Sequence, residues 1–511
     1  MANRKSLTAE IDKPKQGPSP RLPESLSQPG LLVGWSLERD HIRQPIGFSF
    51  GNPLQTPDTG FIDPILFDDE GHLITIAPTG AGKGVGCIVP ALLRHDGPVI
   101  VIDPKGENYA ITARHRRELG QKVFVLDPMG ITDAGEAERA RLNPLDAIDP
   151  EHPLSVDEMS SMVSGFVDRY TAARDLFWVE RAKHLVLALL AHVVSDLPPE
   201  RRTLKEVRDL VDASVSDPGT LSERLKRSRH PLAGSAVSML GLNARETLGG
   251  IQSFAQEMLA FVRGPLVEQA TSASSFELEA ITLGEPISIY IVLPPHMLGS
   301  HGRLLRMWIS ALMSAIIRRR AKPDRPTLFL LDEAAQLGEL RQLQQAITLL
   351  RGYGLKTWSF WQDVSQIKRN YPADWPTMIN NCRVVQCFGA NNMNAARDMS
   401  DLVGLGTAEG VLDLKRHEML LQIAGDEAVY ARLPNYLADP VFAGQFDANP
   451  FYDRDREIVS SATESIRWYL RPKRPWIDPW VYPPAKPDFA PNPEAKALVE
   501  KLMEERETTA R

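Results

Sequence analysis

Short apolar runs alternate with amphipathic segments of helical length along the first part of the chain. The apolar runs predict strands at 73–76, 98–103 and 122–127. The segments between them predict helices at 84–94 and 107–119. Strands that alternate with helices are typical of a mostly parallel sheet covered on both faces, so the pattern predicts an α/β fold.

The pattern changes after residue 150, because nearly every segment up to residue 275 has helical periodicity. One apolar face repeats at helical spacing and comprises Leu176, Trp178, Ala182, Leu185, Leu189 and Val193. Alternating elements then return, with strands predicted at 287–293, 327–332, 356–361 and 383–388, helices at 302–320 and 339–352, and a hairpin at 418–432. The helical block is therefore predicted to be an all-α domain inserted between two strands of one sheet.

The two ends of the chain differ from its middle in composition. Residues 1–35 mix Lys, Pro, Ser, Gln and Gly without periodicity, which predicts a disordered tail. Residues 456–511 are rich in Trp and Pro and are predicted to form an extension with a terminal helix at 494–507. The remaining boundaries place the first part of the sheet domain at 36–149, the inserted all-α domain at 150–275 and the second part of the sheet domain at 276–455.

Composition places the chain among globular proteins of a reducing compartment. Of its 511 residues, 43% are hydrophobic and 24% are charged, and the net charge of −7 argues against a surface coated for nucleic acid. Cys87, Cys382 and Cys387 have neither CxxC nor zinc spacing and are predicted to be buried thiols. No apolar run reaches the ~20 residues of a membrane span and no secretory signal is visible, so we expect a cytoplasmic location.

The strand predicted at 73–76 continues into a glycine-rich loop at 77–84. Such a loop binds phosphates, because backbone N–H groups and a lysine charge face the anion. We therefore predict that a nucleotide contacts Pro78, Thr79, Gly80, Ala81, Gly82, Lys83, Gly84 and Val85. Ala77 stands where the P-loop pattern has Gly, and Gly84 replaces the Ser or Thr whose hydroxyl binds magnesium. An ordinary strand–helix turn with a surface lysine is the alternative.

A second apolar strand, at 327–332, ends in Asp332 and Glu333. Its run of consecutive apolar residues at 328–331 suits a strand that is buried on both faces, so the carboxylates fall at the edge where ligands bind in parallel sheets. We predict that Asp332 binds Mg²⁺ and that Glu333 polarises the water that attacks a γ-phosphate. A strand that ends in a solvated acidic turn is the alternative.

Three further polar positions each have a chemical and a structural interpretation. Asp103 ends a predicted strand, where it either borders the nucleotide or caps a turn. Gln362 also follows a strand and either contacts the γ-phosphate or lies in a polar turn. Arg351 ends a helix, where it either reaches the nucleotide of a neighbouring subunit or interacts with the helix dipole.

Basic clusters lie at 114–117, 226–230 and 318–320. Most charge runs belong to solvated faces, although any of these clusters could line a channel for phosphates. None of them is specific enough to identify a contact with DNA.

In their order along the chain, these motifs resemble the coupling ATPases of type IV secretion and conjugative DNA transfer, which are RecA-like ring motors. The resemblance covers most of residues 60–455. Beyond the loop at 77–86 and the acidic pair, it includes Asp103-Pro104-Lys105-Gly106-Glu107, Asn143-Pro144-Leu145-Asp146, Phe177-Trp178 with Ala182, Ser288-Ile289-Tyr290, Gln362, Tyr436, and Asp439-Pro440 with Phe442.

The resemblance implies a RecA-like P-loop NTPase fold in which Lys83 binds phosphate, Asp332 and Glu333 serve magnesium and water, and Gln362 is a sensor. It implies ATP and Mg²⁺ as cofactors, a homo-hexamer with a central channel, and a helical domain that meets substrates. The expected partners are DNA or a nucleoprotein and components of the secretion system. Such proteins usually begin with transmembrane helices, which we do not find here, so we expect recruitment to the inner face of the membrane by partners.

Three functions follow from these interpretations. The first is an ATP-driven coupling protein that delivers DNA or nucleoprotein to a type IV secretion channel. The second is a docking adaptor that does not hydrolyse nucleotide, which Gly84 and the missing membrane anchor motivate. The third is a soluble DNA translocase that works outside secretion.

Overall fold

The computed structural model of the chain describes residues 22–37, 62–167, 175–241, 245–424 and 426–452. Residues 1–21 of the predicted tail and the helix predicted at 494–507 lie outside this part. Within it, no helix has the length and apolar character that are needed to span a membrane.

Eleven strands of the described residues form a single sheet. In chain order they are β1 (Leu31–Ser36), β2 (Pro64–Phe67), β3 (His72–Ile76), β4 (Val99–Ile102), β5 (Lys122–Leu126), β6 (Ile287–Ile291), β7 (Thr327–Leu331), β8 (Leu355–Trp361), β9 (Cys382–Cys387), β10 (Glu418–Ile423) and β11 (Val429–Arg432). Their spatial order is β2-β1-β11-β10-β9-β3-β8-β7-β4-β6-β5. The seven strands from β9 to β5 are parallel, whereas β10, β11, β1 and β2 extend the sheet with antiparallel pairs.

The α-helices of the described residues follow the same alternation on either side of a helical block. They are α1 (Val89–Arg94), α2 (Glu107–Glu118), α3 (Ser155–Ser164), α4 (Leu176–Asp196), α5 (Leu204–Ser216), α6 (Pro218–Leu225), α7 (Ala233–Leu240), α8 (Arg245–Met258), α9 (Pro265–Ala270), α10 (Leu278–Leu283), α11 (Leu298–Ile317), α12 (Arg341–Leu349), α13 (Val364–Asn370), α14 (Trp375–Asn380), α15 (Met393–Val403) and α16 (Ala408–Leu412).

Five of the parallel strands are buried along their whole length, as expected for strands covered by helices on both faces. Every residue of β3, β4, β6, β7 and β8 is buried. Trp358 and Phe360 of β8 stack with ring centroids 5.3 Å apart in the centre of this core. The α/β fold with a mostly parallel sheet is therefore confirmed.

The helices α3 to α10 all lie between β5 and β6, in agreement with the helical pattern of residues 150–275. The apolar face of α4 is buried at Ala182, Leu185, Leu189 and Val193, whereas Leu176 is half exposed. At the border of the block, the indole N–H of Trp308 donates to the carbonyl of Leu142 at 2.8 Å. The boundaries of a separate domain stay a prediction, since contacts join this block and the sheet in one compact unit.

β1 corrects the prediction of a disordered tail at 1–35, because Leu31–Ser36 is a buried strand inside the sheet. It pairs with β2 on one side and with β11 on the other. The indole N–H of Trp35 donates to the buried carboxylate of Asp439 at 2.8 Å. Pro and Gly residues precede the six-residue run in the sequence. Its partner β11 lies almost 400 positions away, so the local sequence pattern cannot predict the pairing.

Candidate functional site

Most of the residues predicted to contact the nucleotide or magnesium lie at one edge of the sheet. The parallel strands β3, β8, β7 and β4 are neighbours in that order, and their carboxyl ends meet at this edge. The glycine-rich loop follows β3, Gln362 follows β8, the pair Asp332 and Glu333 follows β7, and Asp103 follows β4. The carboxyl edge of a parallel sheet is where such folds bind ligands.

The loop after β3 curls around open space. Gly80 and Gly82 have φ angles of +80° and +101°, which a residue with a side chain rarely adopts. A Cβ added at Gly80, Gly82 or Gly84 would meet no atom within 4 Å. The chain then enters a π-helical turn at Gly84–Ile88 that continues into α1. The loop therefore presents its backbone to a cavity that no side chain fills, as a phosphate cradle requires.

Lys83 points back into this loop. Its side chain is only 8% exposed, and its Nζ donates to the carbonyl oxygen of Ala77 at 3.1 Å. The same Nζ lies 3.6 Å from Oε1 of Glu333. Two motifs that are 250 positions apart in the sequence thus meet in one cleft, as their interpretation as a nucleotide site requires.

Glu333 has a strained backbone. Its φ of +55° is the only left-handed value at a non-glycine position among the described residues. Such a conformation costs about 1–2 kcal/mol and persists where the surrounding structure imposes it, often at a functional site. Oε2 of Glu333 accepts a hydrogen bond from Nε2 of Gln362 at 2.9 Å, so the carboxylate is held between an ammonium and an amide.

Gln362 is itself fixed in place. Its backbone N–H donates to Oε1 of Gln366 in the first turn of α13 at 2.9 Å. Asp363 caps this helix by accepting from the backbone N–H of Gln366. Gln362 therefore lies in a polar turn and at the same time contacts the acidic pair, so its two interpretations are compatible.

Asp332 has a raised pKa. Burial and the neighbouring Glu333 raise its pKa to about 6, while Lys83 acts in the opposite direction. A bound cation would reverse this shift by stabilising the ionised form. Oxygen ligands suit Mg²⁺, which proteins usually hold through one or two carboxylates together with phosphate oxygens and waters.

Asp103 is buried in a different way. It is 1% exposed, and its carboxylate accepts from the backbone N–H of Tyr109 at 2.8 Å and from Nδ2 of Asn108 at 3.3 Å. Burial raises its pKa to about 7, against the effect of these hydrogen bonds. Asp103 thus caps the start of α2, which favours the structural one of its two interpretations.

Arg351 lies at the opposite edge of the sheet. It belongs to the turn that precedes β8, is half exposed and has its Nε 3.7 Å from a carboxylate oxygen of Glu70. The structure therefore does not bring Arg351 to the nucleotide site of its own chain. Its role toward a neighbouring subunit stays a prediction.

Arginines of two of the basic clusters, 114–117 and 318–320, hold the fold together. Arg116 is fully buried and donates to three backbone carbonyls, and Arg319 is buried and donates to four. Arg114 and Arg117 form ion pairs with acidic side chains. These arginines stabilise turns rather than line a basic channel.

The residues that support the loop from beneath have no motif in the sequence. The hydroxyl of Thr75 donates to Oε1 of Gln386 at 2.7 Å and accepts from the indole N–H of Trp358 at 2.8 Å. Gly389, just after β9, has a φ of +74°, and a Cβ there would lie 2.6 Å from Cβ of Ala81. The only signal in the sequence was a glycine directly after a predicted strand.

The order of the strands and the position of the glycine loop define the RecA-like P-loop NTPase fold. Solved structures of the bacterial conjugative coupling protein TrwB share this fold. One in complex with sulphate has a TM-score of 0.55 at 17% identity and covers 71% of this chain and 85% of its own. One in complex with ADP and Mg²⁺ also has a TM-score of 0.55, at 16% identity and the same coverage.

The chain belongs to the family described as type IV secretory system conjugative DNA transfer, which matches residues 25–421. The conjugal transfer protein TraG of Escherichia coli is 26% identical over an alignment of 464 positions, and the match covers 77% of this chain and 71% of TraG. Protein VirD4 of Agrobacterium fabrum is 28% identical over an alignment of 297 positions, and the match covers 56% of this chain and 42% of VirD4.

Proposed function

We propose that this protein is the ATP-dependent coupling protein of a type IV secretion system, which delivers DNA or a nucleoprotein to the secretion channel. The observation that carries the proposal is the cluster of Lys83, Glu333 and Gln362 beside an open glycine loop. An ammonium, a carboxylate and an amide within contact distance are the groups that a phosphoryl-transfer site uses.

The residues present fit ATP and Mg²⁺. The loop leaves room at Gly80, Gly82 and Gly84, and its lysine is already directed inward. Asp332 supplies a carboxylate beside this loop, and a cation there would relieve the repulsion between Asp332 and Glu333. TrwB has been solved with ADP and Mg²⁺ and with a non-hydrolysable ATP analogue, which supports the same ligands here.

Lys83 and the loop backbone bind the phosphates in this proposal. The ammonium now shared by Ala77 and Glu333 turns to the β- and γ-phosphates, whose charge exceeds that of one carboxylate. Asp332 holds Mg²⁺, which when bound neutralises charge on the phosphate oxygens. Glu333, released from the ammonium, is then free to act on water.

Glu333 is the general base in this proposal. Its carboxylate accepts the proton of the water that attacks the γ-phosphate, and the hydrogen bond from Gln362 fixes its orientation. Gln362 follows the strand between β3 and β7, so it lies between the loop and the acidic pair. This position suits an amide that senses whether a γ-phosphate is present.

The quaternary structure and partners are part of the proposal. A hexameric ring would place Arg351, on the far edge of the sheet, where it can approach a neighbour's nucleotide. DNA or nucleoprotein and secretion components are the partners, and partners bring the protein to the inner face of the membrane. Membership of the conjugative DNA-transfer family supports these assignments.

The second candidate is a docking adaptor that binds nucleotide without turnover. Gly84 favours it, because this residue lacks the hydroxyl that completes the magnesium site in the P-loop pattern. Tight ATP binding without phosphate release, together with a stable complex with a secreted substrate, would support the adaptor over the motor.

The test is ATP hydrolysis by the full-length protein, measured as phosphate release with and without DNA. We expect DNA to stimulate hydrolysis, and Lys83→Ala and Glu333→Gln each to lower it at least about 100-fold. Lys122→Ala and Glu285→Gln are matched controls, because this exposed pair lies at the amino edge of the sheet. Wild-type protein without turnover at any magnesium concentration, with DNA present, would refute the motor.

A further inference from the structure

The turn at 103–106 brings a second lysine to the carboxyl edge of the sheet. β4 and β7 are parallel neighbours, and their register makes Asp103 and Asp332 the first residues beyond the two strands at the same level. The backbone N–H of Gly106 donates to the carbonyl of Asp103 at 3.1 Å and closes the turn. Lys105 therefore lies in a tight turn that begins directly beside the acidic pair.

The backbone of this turn has a fixed shape. Gly106 has a φ of +73°, and a Cβ there would lie 2.6 Å from Cγ2 of Thr132. Pro104 is buried and has a restricted φ of its own. The side chain of Lys105, in contrast, is 62% exposed. A flexible four-carbon chain thus carries an ammonium from a rigid base, which suits a group that moves to meet a ligand.

Electrostatic interactions connect this lysine with the acidic pair. Burial and Glu333 raise the pKa of Asp332, and the ammonium groups of Lys83 and Lys105 both oppose this rise. Burial acts to lower the pKa of Lys105, but nearby acidic groups, Glu107 first among them, outweigh burial and raise it. Lys105 is therefore a charged group within electrostatic range of the carboxylate that we assign to magnesium.

The order of the strands places the acidic pair between two lysines. Lys83 follows β3, the acidic pair follows β7, and Lys105 follows β4, which is the next strand in the same direction. In the proposed function the γ-phosphate lies between Lys83 and the acidic pair. Lys105 then approaches this phosphate from the side opposite to Lys83. Cations around the transferred phosphoryl group stabilise the charge on its oxygens.

The present partner of Lys105 holds it only weakly. Its Nζ lies 3.4 Å from Oε1 of Glu107, and such an exposed ion pair contributes little to stability. The other carboxylate oxygen of Glu107 accepts from Nδ2 of Asn449 at 2.9 Å, so Glu107 keeps a partner if Lys105 leaves. A γ-phosphate carries more negative charge than one carboxylate and can compete for this ammonium.

We infer that Lys105 is a second phosphate-binding lysine, whose ammonium contacts the γ-phosphate of bound ATP from the side of β4. The inference rests on the proposed function, since it takes the glycine loop as a nucleotide site. It gives the motif at 103–107 a role in distinguishing ATP from ADP, because ADP lacks the phosphate that Lys105 contacts.

The test compares ADP with a non-hydrolysable ATP analogue, which differ in the γ-phosphate. Binding of each to the full-length protein is measured by titration calorimetry in the presence of magnesium. We expect Lys105→Met to weaken binding of the analogue by about fivefold to fiftyfold and binding of ADP by less than about twofold. Lys105→Arg keeps the charge and should restore most of the affinity for the analogue. Lys83→Ala should weaken binding of both ligands.

Glu107→Gln is the matched control, because it removes the ion pair and leaves the ammonium of Lys105 in place. If Lys105 only stabilised the turn, Glu107→Gln and Lys105→Met would have the same effect, and this result would overturn the inference. An equal loss for both ligands in Lys105→Met, or no loss for either, would also overturn it.

The same measurements separate this inference from the proposed function. Unchanged binding of both ligands in Lys83→Ala would contradict the nucleotide site and, with it, the role of Lys105. A selective loss of the analogue in Lys105→Met, in a protein that shows no ATP turnover, would support the inference and contradict only the motor.

Discussion

Asp103 and Asp332 follow neighbouring parallel strands, and both have a raised pKa because they are buried. Asp103 is closed off by Tyr109 and Asn108, which use its carboxylate to cap α2. Asp332 instead borders an open cleft with Lys83 and Glu333. From the sequence alone the two positions are equivalent, each an acid at the end of an apolar strand.

The difference shows that the partners of a buried carboxylate decide between a structural and a chemical role. Hydrogen bonds within the fold satisfy Asp103, and such a group stabilises its surroundings. Asp332 faces another carboxylate, an arrangement that raises the pKa and is relieved when a cation binds. Matched substitutions at Asp103 and Asp332 should therefore have different effects.

The largest effect is expected for hydrolysis. Asp332→Asn and Asp332→Ala should each lower ATP turnover at least about 100-fold, because both remove the charge that holds magnesium. Asp103→Asn should change turnover per folded molecule less than about tenfold, since it keeps the acceptor for Tyr109. Phosphate release at saturating ATP and magnesium measures both. Equal losses of turnover at the two positions would contradict the assignment of different roles to Asp103 and Asp332.

The free energy of unfolding should depend more on the residue at position 103 than on the residue at position 332. Asp103→Ala should unfold more easily than Asp103→Asn by about 2 kcal/mol, because alanine leaves the backbone N–H of Tyr109 without its cap. Asp332→Ala and Asp332→Asn should differ by less than about 1 kcal/mol, because the carboxylate of Asp332 interacts with the backbone N–H of the adjacent Glu333 but caps no α-helix. Urea unfolding without nucleotide gives these values, and similar differences at both positions would contradict the assignment of Asp103 as a cap.

The pH dependence of stability should reveal Asp332 in protein free of magnesium and nucleotide. A carboxyl whose pKa is raised in the folded state, here from 3.8 to about 6, keeps its proton after the unfolded chain has lost it, so its contribution to stability falls as pH rises. Relative to wild type, Asp332→Asn should therefore gain about 1–2 kcal/mol between pH 4 and pH 7. Parallel stability curves for the two proteins would contradict this.

The smallest effect concerns the position that departs from the P-loop pattern. Gly84→Ser has room for its side chain, because a Cβ at this position meets nothing within 4 Å. Its hydroxyl would add a ligand beside Asp332, and the magnesium concentration for half-maximal turnover should fall by about threefold to tenfold. Gly84→Ala is the control without a hydroxyl, and the same fall in both variants would exclude an oxygen ligand as its cause.

Local pattern was enough for much of the fold and for the core of the site. The strands before the loop and before the acidic pair are short, mainly apolar and bounded by turn residues, so their buried positions were predictable. Parallel strands bring their carboxyl ends together, which is why Lys83 and Glu333 could be expected in one cleft.

The remaining features depend on long-range contacts that have no local signature. β1 forms a strand through its pairing with β2 and β11. The position of the segment 433–437 depends on its packing against Gly86. The same limit applies to Asp103, whose role depends on which donors lie nearby. The sequence pattern predicted the residues of the candidate site more readily than the residues that support them.

The pairing of β1 with β11 has a practical consequence for anyone who trims this protein. The composition of residues 1–35 predicts a disordered tail, yet the indole N–H of Trp35 donates a hydrogen bond to the carboxylate of Asp439. The same carboxylate accepts from the backbone N–H of Asn435 and so positions the segment 433–437. A truncated protein that starts at residue 37 would lack this hydrogen bond and also β1, which lies between β2 and β11 in the sheet. One that starts at residue 22 would keep both, and is the safer boundary for crystallisation or for assembly studies.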